Sequence, residues 1–122
     1  MAIVLMRDEQ TGEIIGYTYA GQEDAEDRRK DVPREDTGEK TAYVYNTALH
    51  SEYQGHHLVG KLMEILEKEL KKRGFEFLER DSAVRNNYAA NIKKSYGDRV
   101  IYEEPHDSKW GQQIFFRIRL EK

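Results

Sequence analysis

Hydrophobic residues along the chain follow two periods. Ile3 to Met6 is a short β-rich run, and 13–19 (Glu-Ile-Ile-Gly-Tyr-Thr-Tyr) is a second. The stretch between them, Asp8-Glu9-Gln10-Thr11-Gly12, has turn chemistry, with Gly12 free to take a positive φ, so 3–19 reads as a hairpin. A third strand is expected over 41–49. Strict alternation puts Tyr43, Tyr45 and Thr47 on one face and Val44, Asn46 and Ala48 on the other. The period then changes. Val59, Leu62, Met63, Leu66 and Leu70 recur at three- and four-residue steps, widened by Leu58 and Ile65, which predicts a helix over 56–73. Glu64 and Lys68, Glu67 and Lys71, and Glu69 and Arg73 form acid-first i,i+4 pairs, and Gly74 is a natural stop. Beyond it come a strand over 75–79 and a helix over 86–96, with Ala89, Ile92 and Tyr96 inward, Asn86 or Asn87 as cap and Gly97 as terminator. A strand over 99–103, a turn region over 105–111 and a strand over 113–120 follow, the last with Ile114, Phe116, Ile118 and Leu120 inward. The order β-β-β-α-β-α-β-β predicts one α+β domain over 1–122. It would hold a single mixed sheet of about six to seven strands and two main helices, with the β-α-β step making a parallel pair.

Composition narrows the function classes. Charged residues make up 35% of the 122, against about 25% in ordinary domains, yet the net charge is only −3. That describes a wet surface without the basic excess that nucleic-acid binding needs. The chain has no cysteine, which excludes disulfides, thiolate metal sites and thiol nucleophiles. No apolar run reaches the length of a membrane span, and the simplest compartment is the cytoplasm. His50, His56 and His57 cluster, but two are adjacent and none has the spacing of a zinc pair, so no metal is expected.

Residues 21–40 stand apart. They hold eight acids and five bases, a difference of −3 that equals the charge of the whole chain. So little apolar surface predicts a charged, mobile, solvated loop; the alternative is an acidic lip that attracts a cationic substrate.

The junction of the third strand with the first helix, 49–64, brings a glycine-containing turn to a helix N-terminus, an arrangement suited to anions. Several segments together resemble the GNAT-type N-acetyltransferase superfamily. Glu13-Ile14-Ile15-Gly16-Tyr17 resembles its Ile/Val-Val/Ile-Gly strand, and Leu49-His50-Ser51-Glu52-Tyr53-Gln54-Gly55 resembles its approach to the coenzyme A loop. Asn86, Ala89, Ile92 and Gly97 resemble its N-x-x-A … G helix. The likeness in element order spans nearly the whole chain but lacks the family's first strand and the two helices that roof the acceptor site.

The resemblance implies an acetyl-CoA-dependent N-acetyltransferase that moves an acetyl group to an amine. The alternative is a non-catalytic GNAT-like binding or scaffold module that has lost ordinary coenzyme binding. It implies that backbone groups near Leu49 face the acyl-pantetheine arm and that the pyrophosphate lies on the turn formed by Gln54, Gly55, His56, His57, Leu58, Val59, Gly60 and Lys61, with Asn86 nearby. His57 and Val59 depart from the family pattern, which has Gly and Gly or Ala there. A tyrosine on the second helix supplies a proton to the leaving thiolate in that family. The matching position is Lys93, so Tyr96 is favoured, with Tyr88 an alternative. For the base, Glu79 is favoured, beside Asp81 and His50. Arg117 and Arg119 read as phosphate ligands or as solvated edge charges. The implied partners are acyl-CoA and an amine, with no nucleic acid and no membrane. The acceptor cleft would be open, closed by a second subunit in a homodimer, or shaped by 21–40.

Overall fold

The computed structural model describes residues 1–24, 26–34, 38–53 and 58–120. Its strands are β1 (Ala2–Arg7), β2 (Ile14–Gly21), β3 (Thr41–Leu49), β4 (Phe77–Ala83), β5 (Val100–Ser108) and β6 (Gly111–Arg119), and its helices are α1 (Leu58–Lys72) and α2 (Tyr88–Tyr96). The six strands make one sheet in the order β1-β2-β3-β4-β6-β5. Every pairing is antiparallel except β3 with β4, the two strands that α1 connects. This is the mixed α+β architecture expected from the element order.

Both helices pack on one face of the sheet. Met63, Leu66 and Leu70 of α1 and Ala89, Ile92 and Tyr96 of α2 share a core with Ala20, Val44, Leu78, Phe116 and Ile118. Each fully buried Leu there contributes roughly 2 kcal/mol of apolar burial. Ile65, expected in this stripe, is half exposed on the outer side of α1. Gly74 (φ +92°) ends α1, and Phe75 N–H returns to Leu70 O at 3.1 Å. Gly12 (φ +75°) turns the first hairpin, braced by Asp8 Oδ1, which accepts from Gln10 N–H at 2.7 Å. Gly16 answers a different need. A Cβ there would lie 2.9 Å from Leu49 Cδ1, 3.2 Å from Ala48 O and 3.3 Å from Leu62 Cδ1, so a side chain would crowd the place where β2 meets the end of β3 and α1.

Four local expectations are corrected. The fourth strand runs 77–83 instead of 75–79, which places Asp81 inside it. The fifth continues through Pro105 to Ser108, because β5 is an edge strand and proline's missing N–H has no ladder to break there. The second helix starts at Tyr88. Asn86 and Asn87 both take φ +59°, and Asn87 holds the N-cap position with no side-chain hydrogen bond. A bulge faces Ala20 and Tyr19 with Val44 and Asn46 and leaves Tyr45 as the extra residue. Beyond it the alternation is shifted, so Thr47 turns to the helices and its Oγ1 reaches Met63 Sδ at 3.7 Å.

The face away from the helices carries Glu79 and Asp81 of β4, Phe115 and Arg117 of β6, and a tyrosine row. The described part of 21–40 lies across it. Val32 is buried, the Arg29 guanidinium sits 5.1 Å from the Phe115 ring centroid, and Arg34 reaches Glu79. Arg117 is no edge charge, because β6 lies between β4 and β5. It is buried, 4.1 Å above the Phe77 ring, and donates to Glu79 Oε2 and Thr41 Oγ1 at 2.8 and 2.9 Å.

Candidate active site

The parallel pair is short. β3 and β4 meet at Thr41 and Phe77, Ala42 and Leu78, and Tyr43 and Glu79, and then part. β3 continues to Leu49 alongside β2, and β4 to Ala83 alongside β6. The result is a wedge-shaped gap whose facing edges hold backbone N–H and C=O groups with no ladder partner in the opposite strand. The bulge at Tyr45 lies on the diverging part of β3, where added twist ends the pairing.

On the helix side the gap opens into a cleft of about 1090 Å³ between α1 and α2. Of the expected site residues, Leu49, Leu58, Val59, Gly60, Asn86 and Tyr96 all line it. Gln54, Gly55, His56 and His57 lie outside the described residues. Lys61 is exposed and does not belong to the cleft wall. The first turn of α1 faces the cleft, and N–H groups in a first turn have no intrahelical acceptor, so the opening is suited to an anionic group. Gly60 has nothing within 4 Å of where a Cβ would stand, so the backbone there can be approached closely. These features fit a long, phosphate-bearing thioester.

Tyr96 is buried, and its hydroxyl has no hydrogen-bond partner among the described residues. Burial, then the Glu67 carboxylate, raise its pKa to about 12, with the nearby Arg80 cation opposing. Tyr88 also lines the cleft, and its hydroxyl accepts from Arg80 Nη2 at 2.5 Å. Lys93 points elsewhere, to Glu103 at 3.0 Å.

Glu79 is on the opposite face and fully enclosed. Arg34 donates to both its oxygens at 2.8 Å and Arg117 to Oε2 at 2.8 Å, so three of its about four acceptor sites are taken. His50 is exposed at the end of β3 and accepts a 3.3 Å bond from Glu52 N–H. Asp81 stands two residues past the last ladder pair. Tyr43 donates to its Oδ2 at 2.5 Å and His106 Nε2 lies 2.6 Å from Oδ1. Burial, then the bond to Asp81, hold the Tyr43 phenol well above its ordinary range. Tyr17, Tyr19, Tyr45 and Tyr43 form a row with successive ring centroids 6.2, 5.9 and 5.3 Å apart. Glu23 borders this row. Burial, then the Glu79 and Asp27 carboxylates, raise its pKa to about 7.

Glu23, His106 and Arg80 escape a reading of the sequence. Nothing local distinguishes Glu23 from seven other acids in its segment, and the Asp81–His106 contact spans 25 residues. Arg80 carried a weak signal, as a lone cation on the inward face of a central strand. Among the described residues no group of three or more His, Asp or Glu could hold a metal, and no helix is long and apolar enough to cross a membrane.

The model of the acetyltransferase (GNAT) family matches residues 2–94. Among solved structures, the chain resembles the NatC complex bound to Gag peptide and CoA, at TM-score 0.69 and 18% identity over 98% of this chain and 71% of that one. It resembles yncA of Salmonella typhimurium, solved with acetyl-CoA as its cofactor, at 0.66 and 21% over 93% and 62%. It also resembles the ribosomal-protein-alanine N-acetyltransferase of Brucella melitensis, at 0.65 and 16% over 97% and 68%. No curated protein matches the sequence.

Proposed function

The chain belongs to the acetyltransferase (GNAT) family, and from that premise we propose that it is an acyl-CoA-dependent N-acyltransferase acting on an amine. The observation that carries this reading is the gap between β3 and β4. It joins a cleft on one face of the sheet to an acidic, aromatic surface on the other, so two reactants can meet in it from opposite sides.

Leu58, Val59 and Gly60 would hold the pyrophosphate through backbone N–H groups, and Asn86 would flank it. The bound coenzyme supplies the activated acyl thioester. N–H groups on the edge of β3 that β4 leaves beyond Tyr43 would stabilise the oxyanion that forms when the amine nitrogen bonds to the acyl carbon. Glu23 takes the proton that nitrogen loses, being a carboxyl poised near neutrality. As the C–S bond breaks, Tyr88 gives its phenolic proton to the sulfur and regains one from solvent. The products are an amide and a thiol. Tyr88 suits this better than Tyr96, whose hydroxyl lies deeper. Glu79 serves as architecture. The tyrosine row beside Glu23 suits a cationic amine, which gains from the ring faces and from the carboxylate.

The test is thermal shift and titration with acetyl-CoA, followed by detection of coenzyme thiol released in the presence of a panel of peptide and small-molecule amines. The expected result is saturable binding that adds about 2.7 kcal/mol at one hundred times the dissociation constant, with amine-dependent thiol release. No shift at millimolar coenzyme would refute the reading and leave the scaffold alternative.

A further inference from the structure

The helix-facing side of β4 holds two polar residues with unmet hydrogen-bonding capacity. Arg80 is 3% exposed, and Ser82, two positions on and on the same face, is 1% exposed. Arg80 Nε and Ser82 Oγ have no hydrogen-bond partner among the described residues, and the Tyr96 hydroxyl on the helix packed above them has the Arg80 guanidinium beside it. The two bonds Arg80 does make are uneven. Nη2 donates to the Tyr88 hydroxyl, while Nη1 donates to Met63 Sδ at 3.2 Å. A thioether is a weak acceptor for a guanidinium, and methionine is the most easily displaced of core side chains. Among the described residues Arg80 forms no ion pair. A buried cation without a counter-charge is unfavourable, and the fork of N–H donors it presents matches a carboxylate.

Its place in the gap says where that carboxylate would come from. The last ladder pair is Tyr43 with Glu79, so Arg80 is the first β4 residue beyond the closed end. Ala83, at the other end of β4, lines the cleft. They are three residue steps apart along the strand, about 10 Å at ~3.3 Å per residue. Arg80 and Ser82 do not belong to the cleft wall; Met63, whose sulfur Arg80 contacts, does, so an acyl chain that reached past Met63 would meet Arg80.

We propose that the acyl group this enzyme transfers ends in a carboxylate, the half-thioester of a short dicarboxylic acid, and that Arg80 binds that carboxylate with Ser82 and Tyr96 as further donors, displacing the Met63 sulfur. This rests on the reading of the cleft as an acyl-CoA site. The terminal carboxylate takes no part in bond making.

The test needs no acceptor. Affinities of the wild-type chain for free CoA, acetyl-CoA and succinyl-CoA are measured by isothermal titration. The expected result is at least tenfold tighter binding of succinyl-CoA than of acetyl-CoA, and R80M should bring the two affinities together. R80K, which keeps a charge without the fork, should retain part of the preference. Equal affinities in the wild type would overturn the carboxylate proposal alone, and water in the hollow would then satisfy these groups. Failure of all three ligands to bind would overturn the coenzyme reading with it. Because the decisive comparison uses the unaltered chain, a poorly folded R80M does not obscure the outcome.

Discussion

Glu79→Gln tests whether the charged residues beneath the 21–40 segment hold the fold together. Glu79 is 1% exposed and receives three N–H bonds at 2.8 Å, two from Arg34 and one from Arg117. Glutamine keeps the volume but removes the charge and turns an NH₂ group toward guanidinium donors. Breaking a buried pair from one side costs about 3–5 kcal/mol. The two arginines will not share that cost equally. The Arg34 side chain retains some exposure and can turn toward water, whereas Arg117 is 1% exposed and held between Phe77 and Thr41. We therefore expect about 3–4 kcal/mol, a large part of the ~5–15 kcal/mol that stabilises an ordinary domain. Urea unfolding followed by circular dichroism reads it as a lower midpoint with an unchanged slope. The double variant E79L/R117M should recover most of the loss, because it removes both charges together. Should E79Q unfold within about 1 kcal/mol of the wild type, the network would be behaving as a surface pair, and the assignment of Glu79 to architecture would fail.

Glu23 gives a pH signature. Its carboxyl titrates at about 7 when folded and at 4.5 as the ordinary value, so the native state holds the proton more tightly. Stability therefore falls as pH rises from about 4.5 to about 7 and is level above that. The fall is about 1–2 kcal/mol once solvent screening of a half-exposed group is allowed for. Urea midpoints across pH 4–8 should show this slope in the wild type and lose it in E23Q. Thiol release should rise through pH 7 as Glu23 ionises and drop roughly 10²- to 10⁴-fold in E23Q; a pH-independent rate would remove Glu23 from the chemistry. Gly16→Ala should cost about 1–3 kcal/mol by overpacking, since its Cβ would meet Leu49 and Leu62. Unchanged thermal stability would show that the end of β3 yields easily.

The architecture was legible because it rests on local periodicity. The three- and four-residue repeat from Val59 to Leu70 and the alternation in 113–120 each fix a face without knowledge of the rest of the chain. Failures came where distant residues decide. Tyr45 bulges because β2 and β3 twist against each other, and no composition rule places that extra residue. Pro105 reads as a turn until its strand is known to be an edge. The 21–40 segment reads as unable to order itself because it lacks apolar residues. Its described part meets the sheet through Arg34 and Glu79, 45 positions apart, and through Val32, contacts that no local pattern shows. Leu49, Gly60 and Asn86, expected near one another from the sequence, line one cleft because they flank one loop and one helix start. The two arginine partners of Glu79 come from remote segments, so its buried network is not legible in the sequence.

β4 makes the division of labour in this sheet explicit, since its alternate residues face two different environments. Toward the 21–40 segment, Glu79 and Asp81 have their oxygens engaged by Arg34 and Arg117, and by Tyr43 and His106. Toward the helices, Arg80 and Ser82 keep donors that nothing in the described chain accepts from. Glu79, Arg80 and Ser82 are all buried, so their polar groups are costly unless paired. A strand that merely tolerated charge would show unmet groups on both sides. Within β4 itself, the engaged oxygens lie on the face covered by the described part of 21–40 and the unmet donors on the helix side. That asymmetry is expected when the missing partners belong to a ligand, and it is why acyl-chain selectivity is the measurement that discriminates best.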